Sequence, residues 1–194
     1  MKKQIIAIFG KSASGKTTTA YWLEKILIKY GYNVRICIED TTRPKRNSEN
    51  GTEYNFVNGI DYTNKIRDGR YLYRSDFRGW YYGFDKRQLE MAEINIIIAN
   101  PTNYNNIMKL SDTYDIYTFY IDVGTKSRIK RSLDRDGFNL EMLRRLISDG
   151  IDFHKLIKKL SNDNEVITKI DKSTSLSNAK EIFNIFDYCY NKEG

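Results

Sequence analysis

The sequence is poor in the residues that build disulfide frameworks and metal centres. Its 194 residues include one histidine, two cysteines and two prolines. The single histidine, His154, cannot form a zinc site or a nucleophile triad alone, and Cys37 and Cys189 lack metal-ligand spacing. We expect both cysteines to be free thiols, as in the reducing cytoplasm.

Long hydrophobic segments are also missing. No stretch approaches the roughly 18–20 apolar residues that would span a bilayer. The apolar run near the N-terminus is too short for a signal peptide and leads into a glycine loop, so we interpret it as the first strand of the fold. Hydrophobic residues make up 40% and charged residues 29%, which is typical of one soluble globular domain.

Positive charge is what the sequence has in excess. The net charge is +7 and the pI is about 9.2, a balance that favours anionic partners. Nucleic acid and a nucleotide site lined with Lys and Arg both fit this balance. Because no block of five or more like charges occurs, we do not expect a nucleic-acid-binding tail. We expect no membrane partner.

The hydrophobic pattern predicts strands that alternate with helices. The predicted strands are 4–9, 33–39, 94–99, 115–123 and 165–170, and the predicted helices are 17–30, 88–93, 126–160 and 176–190. Residues 41–85 are aromatic and polar, and there we expect an excursion with short antiparallel strands. The alternation indicates an α/β fold with a parallel sheet covered on both faces.

A glycine loop follows the first predicted strand. Residues 10–17, GKSASGKT, match the pattern G-x-x-x-x-G-K-[ST] between a strand and a helix, a context that makes a chance match improbable. Backbone N–H groups of such a loop surround phosphate, and the helix dipole points at the same anion. The predicted phosphate-binding residues are Gly10, Ser12, Ala13, Ser14, Gly15, Lys16, Thr17 and Thr18. Lys16 is the predicted catalytic lysine and Thr17 the predicted Mg²⁺ ligand.

A basic and aromatic segment forms a second candidate site. It reads TTRPKR at 41–46 and NGTEYNFV at 50–57. The planar fork of arginine suits a phosphate because it donates two hydrogen bonds at once, and a tyrosine hydroxyl can add a third. Taken alone, the segment is equally compatible with a solvated basic loop.

Together, the two segments resemble guanylate kinases, a family of P-loop nucleoside monophosphate kinases. The family pattern is a glycine loop followed by TTR-x-x-R … G-x-(D/E)-Y-x-F-V, and residues 79–83, GWYYG, are similar to its G-x-Y-Y-G motif. Residues 128–146 are more distantly similar to its lid. The resemblance implies a three-layer fold with a central parallel sheet (1–39, 87–124 and 151–194), an inserted acceptor-binding lobe (40–86) and a helical lid (125–150).

The resemblance also implies roles for individual residues. The implied reaction is transfer of the γ-phosphate of ATP, with Mg²⁺, to a nucleoside monophosphate. The lid arginines Arg135 and Arg145 would close over the donor and act in catalysis. The implied acceptor-binding residues are Arg43, Arg46, Tyr54, Tyr73 and Tyr82, of which Arg43 is also catalytic.

The sequence departs from the family at the positions that recognise guanine. Tyr73 stands where the family has a glutamate, Phe84 where it has a serine or threonine, and Glu39 where it has a serine. The strand end that usually reads D-x-D is IANP at 98–101. Either Glu39, Asp40, Asp76 or Asn100 replaces the missing acid, or the base is not guanine. Because Tyr73 and Phe84 stand where the family has polar side chains, we predict relaxed selectivity for the base. GMP or dGMP is still the first-ranked acceptor.

Three other functions remain open from the sequence. The first is a kinase of another phosphorylated acceptor, such as a modified nucleotide or a phosphosugar like ribose bisphosphate. The second is a non-catalytic interaction module, which the intact glycine loop disfavours. The third is a nucleic-acid-binding ATPase, which would need a strand-end acid and a track of basic residues.

Overall fold

The computed structural model describes residues 2–45, 51, 53–77, 79–137, 140–163 and 167–193. The strands are β1 (Lys3–Gly10), β2 (Val34–Cys37), β3 (Asp40–Thr41), β4 (Asn55–Phe56), β5 (Tyr71–Phe77), β6 (Trp80–Asp85), β7 (Ile94–Ala99), β8 (Tyr114–Ile121) and β9 (Thr168–Ile170). The α-helices are α1 (Lys16–Lys29), α2 (Gly59–Arg67), α3 (Tyr104–Met108), α4 (Thr125–Asp136), α5 (Leu140–Asp163) and α6 (Ser175–Glu193).

The larger sheet is parallel throughout and has the strand order β2-β7-β1-β8-β9. On one face pack α1 and α6, through side chains such as Leu23, Leu27 and Phe186. On the other face pack α3 and α5, through side chains such as Ile107 and Phe153. The predicted parallel sheet with two covered faces is confirmed, and its carboxyl-terminal edge is where ligands bind in such folds.

A second sheet, formed between residues 40 and 85, has the order β4-β3-β6-β5. Strand β6 pairs antiparallel with β3 and β5, whereas β3 and β4 run parallel. Helix α2 packs on one face of this sheet, where the ring of Tyr62 stacks on Tyr81 with centroids 5.5 Å apart. The Asn58 side chain caps the helix by accepting the backbone N–H of Asp61.

Only Ile38 and Glu39 separate the two sheets where the chain first crosses between them. The Gln88 side chain holds this crossing, because it accepts the Ile38 backbone N–H at 3.1 Å and donates to the Ile38 carbonyl at 2.8 Å. Gln88 belongs to a 3-10 helix, Lys86–Glu90, on the second crossing. The two crossings are therefore fastened to each other.

Two local features differ from the sequence-based expectations. The expected helix at 88–93 is the short 3-10 helix at Lys86–Glu90. The expected helix at 126–160 is two helices, because Gly137 ends α4 with a φ of 66°. Cys37 and Cys189 are free thiols, as expected. Among the described residues, no helix is both long enough and apolar enough to cross a membrane.

Candidate functional site

The glycine loop joins β1 to α1 at the carboxyl-terminal edge of the larger sheet. Gly15 caps α1 with a φ of 92°, and Ala13 also has a positive φ, of 59°. A Cβ atom on Gly10 would lie 3.1 Å from the Ile121 carbonyl oxygen, so the loop lies close against β8. This succession of backbone conformations turns N–H groups toward one point, where an anion can bind.

The ammonium group of Lys16 lies within this loop. It donates to the carbonyl of Gly10 at 2.5 Å and to that of Lys11 at 3.3 Å. Burial lowers the pKa of Lys16 to about 8, the Asp149 carboxylate opposes this shift, and Arg128 adds to it. A partly desolvated lysine can interact strongly with an arriving phosphate.

The side chains of Thr17 and Thr18 are exposed at the first turn of α1, and Ser14 is buried below them. Within the described parts of the chain, no group of three or more His, Cys, Asp or Glu side chains is suited to hold a metal ion. Asp122, which follows β8 at the same edge of the sheet, is ion-paired with Lys169 at 2.9 Å. An exposed Thr17 hydroxyl fits a magnesium ion that arrives with nucleotide phosphates, because Mg²⁺ keeps several waters and needs few protein ligands.

Two arginines that the sequence analysis did not single out also reach the loop. Arg128 Nη1 donates to the Ser12 carbonyl at 3.4 Å, and Arg131 Nη1 donates to the Ser14 carbonyl at 3.3 Å. Their spacing of three on α4 places both on one helix face, which is the signal that could have identified them. They bring positive charge to the phosphate-binding loop.

An acid from α5 contacts the same loop. The Asp149 Oδ2 accepts the backbone N–H of Ser12 at 2.6 Å, and its other oxygen accepts the Ser12 hydroxyl at 3.4 Å. Asp149 also lies 3.6 Å from Arg128. A carboxylate therefore makes the kind of hydrogen bond with the loop that a phosphate oxygen would make.

The smaller sheet carries a second cationic cluster. The Arg43 guanidinium lies over the rings of Tyr54 and Phe56, 5.4 and 5.6 Å from their centroids, and donates to the Pro44 carbonyl at 2.7 Å. The ring of Tyr54 meets that of Tyr82 edge-on at 5.8 Å. The structure thus brings together three of the predicted acceptor-binding residues, Arg43, Tyr54 and Tyr82. Arginine over aromatic faces keeps its orientation and its charge.

Tyr73, another predicted acceptor-binding residue, is buried in the smaller sheet. Its side chain is 5% exposed and its ring stacks on Phe84 with centroids 5.5 Å apart. The hydroxyl interacts with the Glu39 carboxyl, without the alignment of a strong hydrogen bond. Burial raises the pKa of Glu39 to about 7, and the interaction with Tyr73 opposes the shift.

Asp40, another candidate acid, is fully engaged within the lobe. Its carboxylate is 2.5 Å from Lys65 Nζ, and it accepts the Tyr71 hydroxyl at 2.8 Å and the Asn55 amide at 2.6 Å. With 1% of its surface exposed, Asp40 holds α2 and β4 onto the sheet and is closed to a ligand.

The side chains of three predicted site residues are not among those that the structure describes. Arg46 lies outside the described residues, and so do the side chains of Arg135 and Arg145. Their roles stay predictions.

A strand–glycine loop–helix unit on a parallel sheet, with an inserted mixed sheet bearing an Arg–Tyr cluster, defines a P-loop α/β protein of the nucleoside monophosphate kinase fold. The guanylate kinase family model matches residues 2–183, and the chain belongs to this family.

Curated relatives are guanylate kinases of low identity. The protein from Mesomycoplasma hyopneumoniae (strain J) is 26% identical, over 89% of this chain and 94% of that protein. The proteins from Rickettsia bellii and Symbiobacterium thermophilum are 29% and 32% identical, each over 46% of this chain. These two matches span 45% and 41% of those relatives' lengths.

The fold has a counterpart among solved structures. The crystal structure of guanylate kinase from Anaplasma phagocytophilum superimposes with a TM-score of 0.64 and 15% identity. The match covers 96% of this chain and 86% of that one. At this identity, the likeness supports the fold.

Proposed function

We propose that the protein transfers the γ-phosphate of ATP to a nucleoside monophosphate, with GMP or dGMP as the first-ranked acceptor. One observation supports the proposal: two separate clusters that each contain a positively charged side chain, the glycine loop with Lys16 and the Arg43–Tyr54–Tyr82 cluster, lie on two different sheets of one chain. A donor and an acceptor that both carry phosphates need such a pair of sites. Guanylate kinase relatives support the choice of acceptor.

On the donor side, the loop N–H groups and Lys16 would hold and neutralise the ATP phosphates. Residues Ser12 to Thr18 supply these groups, and Thr17 would hold Mg²⁺. The metal ion, when bound, neutralises charge that develops on the phosphates. Arg128 and Arg131 add positive charge at the rear of the loop. Arg135 and Arg145 remain the proposed lid arginines.

On the acceptor side, Arg43, Tyr54 and Tyr82 would hold the monophosphate, and Arg46 is proposed to join them. An acceptor phosphate oxygen is already a nucleophile, so the chemistry needs positioning and charge neutralisation rather than a general base. Closure of the proposed lobe (40–86) and lid (125–150) on the core would exclude water, which otherwise takes the phosphate.

An acceptor panel tests this proposal. Purified protein with ATP and Mg²⁺ is assayed against GMP, dGMP, AMP, CMP, UMP and dTMP, and ADP formation is compared with formation of the nucleoside diphosphate. We expect coupled formation of both products with GMP or dGMP. If ATP binds but no nucleotide is phosphorylated, the proposal fails, and a phosphosugar acceptor or an interaction module takes its place.

The free thiols and the proposed substrates also bear on the location of the protein in the cell. The free thiols of Cys37 and Cys189 and the nucleotide substrates are consistent with a cytoplasmic location, which we propose for the protein.

A further inference from the structure

The strand register of the smaller sheet sorts its side chains onto two faces. Thr41 is paired with Tyr82, Asp40 with Gly83, and Tyr73 with Phe84. Side chains of paired residues lie on the same face, and neighbours along a strand alternate. Tyr73, Tyr82 and Phe84 therefore share one face, and the Glu39 carboxyl interacts with Tyr73 on that face.

The same register places Asp40 and Asp76, two of the four candidates for the missing acid, on the other face of the sheet. Asp40 lies on the opposite face with Gly83, where Lys65 of α2 neutralises it. Asp76 is paired with Tyr81, whose ring stacks on Tyr62 of α2, so it also belongs to the α2 face. Asn100, exposed beyond β7, is a neutral amide and cannot supply a charged acceptor.

The surroundings of Glu39 differ from those of Asp40 and Asp85. Asp40 and Asp85 are ion-paired with Lys65 and Arg70, whereas in the described chain no lysine or arginine pairs with Glu39. Its neighbour Tyr73 has a buried hydroxyl with no well-aligned partner. Glu39 is partly buried and interacts with Tyr73, and a carboxylate without a cationic partner can accept hydrogen bonds from a ligand.

Glu39 also stands at the right place in the fold. It follows β2 by two residues, and Asn100 follows the adjacent strand β7, at the sheet edge where the glycine loop follows β1. Ligands of parallel α/β sheets bind outside this edge. Glu39 therefore lies on the segment that joins the sheet carrying the glycine loop to the sheet beside Arg43, Tyr54 and Tyr82.

We propose that Glu39 is the residue that selects the acceptor base, and that Tyr73 positions its carboxyl group. The proposal rests on the proposed function and makes it specific: the ligand group is a base edge with two adjacent N–H donors. Guanine has such an edge, an imino N–H beside an amino group, and a carboxylate can accept both hydrogen bonds at once. Hypoxanthine lacks the amino group, and adenine presents a donor beside an acceptor.

The test compares GMP with IMP, which differs from GMP only by the missing amino group. Initial rates are measured at pH 8 for the wild type, Glu39→Gln and the control Asp76→Asn, whose acid lies on the α2 face. A hydrogen bond to a charged group contributes about 1.5–3 kcal/mol, so the wild type should prefer GMP over IMP by about 10- to 150-fold in kcat/KM. Glu39→Gln offers one acceptor and one donor, and should bring this ratio to within about threefold, mainly through KM.

The outcomes separate the inference from the proposed function. No phosphorylation of any nucleotide by the wild type would defeat the proposed function. A wild type that uses GMP, with an unchanged GMP to IMP ratio in Glu39→Gln, would defeat only the inference. A collapse of the ratio in Asp76→Asn would also contradict it. A thermal unfolding curve confirms that Glu39→Gln is folded, which we expect because the amide carries no buried charge.

Tyr73→Phe tests the positioning role separately. The substitution removes only the hydroxyl and leaves the ring against Phe84. We expect the GMP to IMP ratio to fall by several-fold while KM for ATP is unchanged. A stability loss without any change in this ratio would show that Tyr73 is a packing residue and nothing more.

Discussion

The carboxylate of Asp149 accepts the backbone N–H of Ser12 at 2.6 Å, so an acid from α5 occupies part of the phosphate-binding loop. ATP must displace it or bind beside it. Asp149 also raises the pKa of Lys16, against the larger effect of burial, and thus favours the charged form of the lysine in the free protein. The contact thus has two opposite effects on ATP binding: Asp149 competes with phosphate for the Ser12 N–H, and it favours the charged form of Lys16.

We predict that Asp149→Asn tightens ATP binding. A carboxylate competes with phosphate for the Ser12 N–H and repels it, and we expect the dissociation constant for ATP to fall by about tenfold when the charge is removed. Isothermal titration calorimetry at pH 7 measures the change. Asp152→Asn, on the same helix, is the matched control, and weaker binding by Asp149→Asn would show that charge retention on Lys16 is the larger effect.

Lys16→Ala should abolish most phosphoryl transfer without unfolding the protein. We expect a loss of about 3 kcal/mol or more of transition-state stabilisation, comparable to the removal of one preorganised donor. The measurement is kcat/KM for ATP together with Tm. Lys29→Ala, at the exposed far end of α1, serves as the control. Near-normal kcat/KM in the Lys16 variant would refute the assignment of the donor site.

Arg43→Lys should impair use of the acceptor more than binding of ATP. A point ammonium cannot reproduce the bidentate fork or lie flat over Tyr54 and Phe56, so we expect KM for GMP to rise about tenfold or more. Arg74→Lys is the matched control, because Arg74 is exposed on the α2 side of the same sheet. Equal changes in KM for both substrates would instead mark Arg43 as a structural residue.

The pH dependence should reveal Glu39. Burial raises its pKa from the usual 4.5 to about 7, so the carboxyl is neutral below that pH and loses the ability to accept two hydrogen bonds. We predict that kcat/KM for GMP rises through about pH 7 and then levels. The titratable groups near it, Tyr73 of β5, Cys37 of β2 and Tyr62 of α2, all have raised pKa values and stay neutral over this range.

The phosphate of GMP also titrates, with a pKa near 6, so the profile of one protein is not diagnostic. The ratio of wild-type to Glu39→Gln rates cancels that titration, and it should increase with pH. A ratio that is flat from pH 5.5 to 8.5 would contradict the prediction. Because the raised pKa means that the folded protein binds more protons than the unfolded chain between about 4.5 and 7, this group lowers stability as pH rises through that window.

The sequence was sufficient for those parts of the fold that depend on local pattern. The spacing of glycine and apolar residues predicts the glycine loop, the parallel strands and α1, and the structure has all three. Helix α2 escaped prediction because only Tyr62 is buried along it, so it has no apolar periodicity. The break at Gly137 was missed because charged residues continue on both sides of it.

The candidate site was predictable only where a motif names a residue. Arg43, Tyr54 and Tyr82 came from the family pattern, and the structure places them together. The choice among Glu39, Asp40 and Asp76 could not be made from sequence, because it depends on the pairing register of β3, β5 and β6, and a shift by one residue would exchange the two faces. Arg128 and Arg131 have no motif and were found only through their distance to the loop.

The fastening of Ile38 by Gln88 has a mechanical consequence. Because both chain crossings meet at one point, we expect the smaller sheet to rotate about that point as a rigid body rather than slide along the larger sheet. Glu39 lies beside this pivot, whereas Arg43 lies four residues further along the chain. Rotation would therefore carry the Arg43–Tyr54–Tyr82 cluster through an arc and leave the Glu39 carboxyl almost stationary, so the proposed contact with the base would form before the proposed contacts with the phosphate reach their final positions.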